Sequence, residues 1–366
     1  MPDAPRWFDA LLRPGLASLR AYAPSRPPLG AARLDANECP WALDADARRE
    51  LDEALSRVEL HRYPDPRASR LRERLAERTG AHPDDLVIGC GSDEVIALLL
   101  GALARPREGR ASVSVSFPDP TFVMYRATAI SSGHDPVAVP LDAGWDLDVD
   151  PWREALSAHA PHAVFLATPN NPTGNDLSRG AVEAIVDAAR DALVVIDEAY
   201  GAFSTRDHRD LRASRPNVAT LGTLSKVGLA AARVGWAALP RGLAAEVDKA
   251  RQPYNLNSLS QAVGELALGP LAPAIDAACA RVIEARGALR EALSRVDGVA
   301  VSPSSANFLW IELPRDAGEV HAELAARGVL VRSFHASGGR LARRIRVTVG
   351  TPDENARFVE ALRASL

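Results

Sequence analysis

Between about Asp44 and Gly269 the chain keeps returning to one pattern, a short apolar run followed by a helical stretch. "DLVIG" precedes "SDEVIALLLGALA", and "ASVSVSF" precedes "DPTFVMYRATAIS". "HAVFLAT" precedes a loop and "RGAVEAIVDAARD", and "ALVVIDEAY" and "VATLGTLS" follow. A strand with one wet face alternates polar and apolar residues, whereas an unbroken Val/Ile/Leu run needs cover on both faces. The intervening helices supply that cover, so the pattern predicts an α/β lobe with a mostly parallel central sheet. In such sheets ligands sit beyond the carboxyl ends of the strands.

From about Gln261 a long helical stretch leads into "NFLWIEL", a helix, "VLVRSF" and "RIRVTVG". This predicts a smaller α+β domain, and a chain of 366 residues is long enough to split into two lobes. The first thirty-odd residues carry Pro14, Pro24, Pro27 and Pro28 and read as an arm lying on another surface. The expected division is an arm over 1–36 packing with the small domain, a large domain over 37–260 and the small domain over 261–366.

Several function classes are disfavoured. A net charge of -4 with dispersed arginines argues against general nucleic-acid or basic membrane-surface binding. Cys39, Cys90 and Cys279 are too scattered for a disulfide framework or a CxxC metal site. His159 and His162 have no further ligand-spaced group nearby, so no metal is expected. The N-terminus lacks a signal-peptide core and no apolar run reaches membrane-spanning length, which predicts a cytoplasmic protein.

The strand ends carry the chemistry. "LVIG" runs into Cys90-Gly91-Ser92-Asp93 at the start of a helix, where free N–H groups suit a phosphate. Read as a dinucleotide loop, "GCGSDE" has Glu94 where the third glycine belongs. "VFLA" runs into "TPNNPTG", which alone is an ordinary Pro/Asn/Gly turn. "LVVI" ends on Asp197, a carboxylate that is costly to bury without a cation beside it. The last strand ends on Thr223, Ser225 and Lys226, with Arg233 seven residues further on. Only two lysines occur, Lys226 and Lys249, against 41 arginines. Arginine stays protonated, but lysine can become a neutral, nucleophilic amine, so position 226 reads as one that needs an amine.

An amine for an aldehyde, a phosphate cradle, an anion for a ring nitrogen and donors for a phenolic oxygen together suit pyridoxal phosphate. From "LDANECP" through "RYPDP", "TPNNPTG", "DEAY" and "TLSK" to "RIRVTVG", the chain resembles the fold-type I pyridoxal-phosphate aminotransferases, and within them the histidinol-phosphate aminotransferases. That resemblance implies the fold-type I transferase fold and particular roles. Lys226 would bond the cofactor aldehyde and then move a proton, and Asp197 would keep the pyridine nitrogen protonated. Asn171 and Tyr200 would hold the phenolic oxygen, and Phe122 would stack on the ring. Gly91, Ser92 and Asp93 (through backbone amides) with Thr223, Ser225 and Arg233 would hold the phosphate. Many relatives place eight positions between that lysine and arginine, against seven here.

Tyr63 in "RYP" would reach the phosphate in a neighbouring subunit, implying a homodimer. On the substrate side, Arg346 would bind the α-carboxylate through its guanidinium fork, and Asn37 and Asn307 would approach the substrate. Tyr22 and Arg332 would meet the phosphate of histidinol phosphate. The activity expected is transamination between L-histidinol phosphate and 2-oxoglutarate, giving imidazole acetol phosphate and glutamate. Rival readings are an aromatic aminotransferase, a threonine-phosphate decarboxylase, a non-catalytic regulator and, in another class, a nicotinamide-dependent dehydrogenase.

Overall fold

The structure is a computed structural model that describes residues 7–21 and 28–366. A first short strand, β1 (Ala32–Arg33), is followed by the strands of the large sheet. These are β2 (Leu86–Cys90), β3 (Ser114–Asp119), β4 (Asp135–Pro140), β5 (Ala163–Ala167), β6 (Leu193–Asp197), β7 (Val218–Thr223) and β8 (Val234–Ala238). Their order across the sheet is β2-β8-β7-β6-β5-β3-β4. Every neighbouring pair is parallel except those made by β8, which runs antiparallel to both β2 and β7.

The expected parallel sheet is present because its central strands are buried on both faces: every residue of β5, β6 and β7 is buried. One face packs against helices including Ser92–Ala102 and Val123–Ser132, which bring Ile96, Leu99 and Tyr125 to Val115, Phe165 and Val195. The other face packs against Val149–His159 and Arg179–Ala188 through Trp152, Val182 and Ile185. Two strands escape the pattern read from sequence. β4 is an edge strand carrying Pro136 and Pro140, and only Val139 in it is buried. β8 is a short segment, VGWAA, with no crossover helix of its own.

The remaining strands are β9 (Ala300–Val301), β10 (Phe308–Glu312), β11 (Val329–Leu330), β12 (Arg332–Ser333) and β13 (Arg344–Thr348). A four-stranded sheet runs β12-β13-β10-β9, all antiparallel. "VLVRSF" is not one strand, because β11 pairs in parallel with β1 while β12 turns to pair with β13. The 22-residue helix Ala272–Leu293 links the two sheets. Among the described residues no single helix is long and apolar enough to cross a membrane.

Parallel strands release their chains at one edge. Cys90, Asp119, Ala167, Asp197 and Thr223 all end there, and antiparallel β8 begins there just after Arg233.

Candidate active site

At that edge one pocket is lined by Ser92, Asp93, Phe122, Tyr125, Ala167, Pro169, Asn171, Asp197, Ala199, Tyr200, Thr223, Ser225, Lys226 and Arg233. Residues spread over more than 140 positions meet because each follows or ends a strand of the same sheet. β7 passes into a wide turn, Ser225–Leu229, that sets the half-buried Lys226 side chain facing the pocket. Its Nζ lies 5.7 Å from the Tyr200 ring centroid. It forms no hydrogen bond or ion pair with another described residue, which leaves the amine available.

One end of the pocket, whose donors suit a phosphate cradle, is built from backbone and hydroxyls. The helix Ser92–Ala102 begins at the pocket, and its first N–H groups have no acceptor within the helix. Gly91 has φ 83°, and a Cβ there would overlap the Arg233 guanidinium. Gly235 is held equally tightly, since a Cβ on it would run into the backbone of Gly91 and Ser92. Thr223 Oγ1 donates to Ser225 Oγ (3.0 Å), and Arg233 Nη1 donates to the same hydroxyl (3.3 Å). With only seven positions from Lys226, Arg233 reaches the pocket by adopting a left-handed backbone, φ 53°. Glu94, which breaks the dinucleotide pattern, turns back to accept from the Cys90 N–H and from Asn255 Nδ2 (2.9 Å). It thereby braces the turn that leads into the cradle.

At the other end of the pocket stands Asp197, only 5% exposed. Its Oδ1 accepts from the Ala199 N–H (2.9 Å) and its Oδ2 from the Tyr125 hydroxyl (2.6 Å). Both donors are neutral. Burial raises the Asp197 carboxyl to about 6, against the lowering effect of these two bonds. Sequence reasoning missed Tyr125, the one unnamed lining residue whose side chain bonds Asp197; Ala167, Pro169 and Ala199 also went unnamed. Tyr125 lies three residues after Phe122, a spacing that puts two side chains on one face of a helix and could have marked it.

These features fit pyridoxal phosphate. A buried carboxylate with only neutral partners matches a cationic ring nitrogen, and hydroxyls, an arginine and a helix start match a dianion. Asp93 is the exception within the cradle. Its carboxylate stands 3.5 Å from Arg233 and would compete with an incoming phosphate, so only its backbone N–H suits the cradle.

The expected substrate residues are not all in this pocket. Arg346, 9% exposed, donates to Asn171 Oδ1 (2.6 Å) and to the Asp35 carbonyl (2.6 Å), tying β13 to the "TPNNPTG" loop. Asn37 Nδ2 donates to the Tyr200 hydroxyl (2.9 Å), Thr348 Oγ1 to Asn37 Oδ1 (3.1 Å), and Asn307 Nδ2 to the Asn37 carbonyl (2.9 Å). Both asparagines are buried and one step behind the pocket wall. Arg332 is exposed but sits directly opposite Arg346 across β12 and β13, on the same face of the sheet. Tyr63 is not among the residues that line this pocket; it is 81% exposed and stacked on Tyr254 at 4.5 Å. Tyr22 lies outside the described residues.

Asp197 makes a testable demand on the cofactor-free protein. Its folded pKa lies above the ordinary 3.8, so its contribution to stability is full below about pH 4 and is lost as pH rises through about 6. The shift corresponds to on the order of 3 kcal/mol at neutral pH. Asp197→Asn should therefore stabilise the cofactor-free protein at pH 7.5, and the advantage should vanish near pH 4. Urea unfolding at the two pH values checks this; a constant difference would show that charge burial is not the cause.

Parallel α/β sheets bind ligands at their carboxyl edge, and the side chains gathered at this one suit pyridoxal phosphate, as in the pyridoxal-phosphate-dependent transferases. The family model for aminotransferase class I and II matches residues 31–362, and the chain belongs to that family. Within it, the chain falls among the histidinol-phosphate aminotransferases. It is 40% identical over 360 residues to histidinol-phosphate aminotransferase 1 of Burkholderia mallei, covering 98% of this chain and 99% of that one. Identity to histidinol-phosphate aminotransferase 2 of Burkholderia pseudomallei is likewise 40%, with the same coverage. The crystal structure of the Sinorhizobium meliloti histidinol-phosphate aminotransferase, in complex with pyridoxal-5'-phosphate, superposes with a TM-score of 0.81. The match covers 92% of this chain and 90% of that one at 24% identity, a likeness of fold.

Proposed function

We propose that this protein transfers the amino group of L-histidinol phosphate to 2-oxoglutarate, giving imidazole acetol phosphate and glutamate, with pyridoxal phosphate as cofactor. The observation that carries the chemistry is the available Lys226 amine in one pocket with a buried Asp197 whose partners are neutral. An identity of 40% over 360 residues to histidinol-phosphate aminotransferases supports the substrate.

Pyridoxal phosphate supplies an aldehyde that bonds amines and a ring that takes up the electron pair left when the adjacent carbon loses a proton. Around it, Asp197 holds a proton on the ring nitrogen. Asn171 and Tyr200 hydrogen-bond the phenolic oxygen, and Phe122 covers one face. Ser92, Asp93 (through its N–H), Thr223, Ser225 and Arg233 hold the phosphate next to Gly91. Lys226 Nζ would take the proton from the substrate's Cα and return it at C4'. The Asn37 bond uses a lone pair of the Tyr200 oxygen, so the Tyr200 O–H is left to donate. Arg346 orients carboxylate substrates, and Arg332 with Tyr22 meets the phosphate of histidinol phosphate. Asn37 and Asn307 shape the wall behind.

Two experiments test the reading. Borohydride treatment of the yellow holoenzyme should fix the cofactor on Lys226; a colourless, unlabelled protein would exclude it. A donor panel of histidinol phosphate, phenylalanine, tyrosine and threonine phosphate should rank the first highest in kcat/KM, and a preference for another donor would reassign the substrate.

The protein works in the cytoplasm as a homodimer, with Tyr63 reaching the partner's cofactor phosphate. Supporting this, Leu60, Tyr63, Tyr254 and Leu259 are exposed in one neighbourhood, beside a groove lined by both acids and arginines. Clustered exposed apolar groups mark interaction surfaces. Mixing Lys226→Ala with an impaired Tyr63→Phe protein should give hybrids with one site carrying both changes and one carrying neither. Random exchange should restore roughly a quarter of wild-type activity, because half the dimers are hybrids with one intact site. Demonstrated exchange without recovery would place Tyr63 outside the neighbouring site.

A further inference from the structure

We infer that Tyr125 is a positioning residue that holds Asp197 as an oriented anion at the cofactor's ring nitrogen and braces Phe122 against the ring; this rests on the cofactor reading above. Its geometry joins three elements. The residue sits in the first turn of the helix Val123–Ser132, fully buried, and its ring stacks on Phe165 of β5 at 4.8 Å and 15°. The same ring meets Phe122 edge-on at 5.6 Å and 87°. Its hydroxyl donates to Oδ2 of Asp197 at the end of β6, 2.6 Å away. A single side chain thus supports two of the groups that would touch the cofactor ring.

The electrostatics agree with the geometry. Burial, with the Asp197 charge beside it, holds the Tyr125 hydroxyl well above the ordinary phenol range, so it stays a donor. The other titratable groups around the pair are Asp93, Glu198 and Tyr200, with Lys226 and Arg233 across the pocket. The two carboxylates work against the charge on Asp197, leaving the Tyr125 and Ala199 donors to favour it. Without the hydroxyl, Oδ2 would face a buried space with no donor from the chain. The cheapest response is to bind a proton there. A neutral carboxyl cannot hold the ring nitrogen as a cation.

Tyr125→Phe is the test, because it keeps the ring and both aromatic contacts and removes only the O–H. Wild type, Tyr125→Phe, Asp197→Asn and the double variant are titrated with pyridoxal phosphate, and the pH midpoint of the bound cofactor's visible absorption is followed. Tyr125→Phe should weaken cofactor binding by about 10- to 100-fold, the scale of a hydrogen bond to a charged group. The absorption midpoint should move by about one pH unit or more. In the Asp197→Asn background the same change should cost less than about twofold, since its target is gone. Cofactor affinity and midpoint equal to wild type in Tyr125→Phe would overturn the inference, as would an undiminished effect in the Asp197→Asn background. Wild-type protein that neither binds the cofactor nor is labelled at Lys226 would instead overturn the cofactor reading, and this inference with it.

Discussion

Replacing Lys226 by arginine will cost at least about four orders of magnitude in turnover, although the positive charge is kept. The reason lies in what position 226 offers. Its amine points into the pocket without a hydrogen bond or ion pair to another described residue, 5.7 Å from the centre of the Tyr200 ring. An amine can bond an aldehyde, be displaced by a second amine, and then act as a base near neutral pH. A guanidinium is held protonated and does none of these. The variant should still bind pyridoxal phosphate through the cradle, because Thr223, Ser225 and Arg233 are untouched. It should take no borohydride-fixed label. Turnover near wild type would mean that Lys226 is not the amine of the reaction.

The second large effect concerns the two arginines that face each other across β12 and β13. Arg346→Ala should lower kcat/KM for every carboxylate substrate by about 2–5 kcal/mol, the scale for removing a buried charged partner. Arg346 is already in place, buried and bonded to Asn171 and Asp35, so its fork is oriented before substrate arrives. Its loss would also leave the Asn171 amide oxygen without that donor, which would loosen a group expected at the cofactor's phenolic oxygen. Arg332→Ala should behave differently. Arg332 is exposed, so the loss should be confined to donors that bring a phosphate, by about 2–4 kcal/mol for histidinol phosphate. A donor without phosphate should be almost unaffected. Parallel kinetics of both variants on histidinol phosphate, glutamate and phenylalanine separate the roles. Equal losses for phosphate and non-phosphate donors in Arg332→Ala would remove it from substrate recognition.

Much of this candidate site is legible in the sequence alone. Lys226 stands out because arginine carries nearly every other positive charge, and Asp197 because a carboxylate ends a wholly apolar strand. Both are local signals, and the strand pattern says that such ends share an edge. The bonds that tune them were not legible. Tyr125 acts on a carboxylate 72 positions away, and Asn37 meets Tyr200 across 163 and Thr348 across 311. No periodicity or spacing reports a bond between residues so far apart. The strand β8 was hidden for a related reason. Gly235 is there to let the backbone of Gly91 and Ser92 approach, a requirement set by the neighbouring turn and not by any propensity of VGWAA.

The sequence by itself determined which chemistry could occur and on which edge. A parallel sheet needs continuous apolar strands with helical crossovers, and that requirement is written along the chain and delivers its loop residues to one side. Tertiary structure decided the rest: that Asp197 is buried between two neutral donors, that Arg346 is fastened to Asn171, and that Arg332 faces it from an exposed strand. Burial and hydrogen-bond geometry depend on atoms brought together from distant parts of the chain, and they set charge, orientation and access in the site.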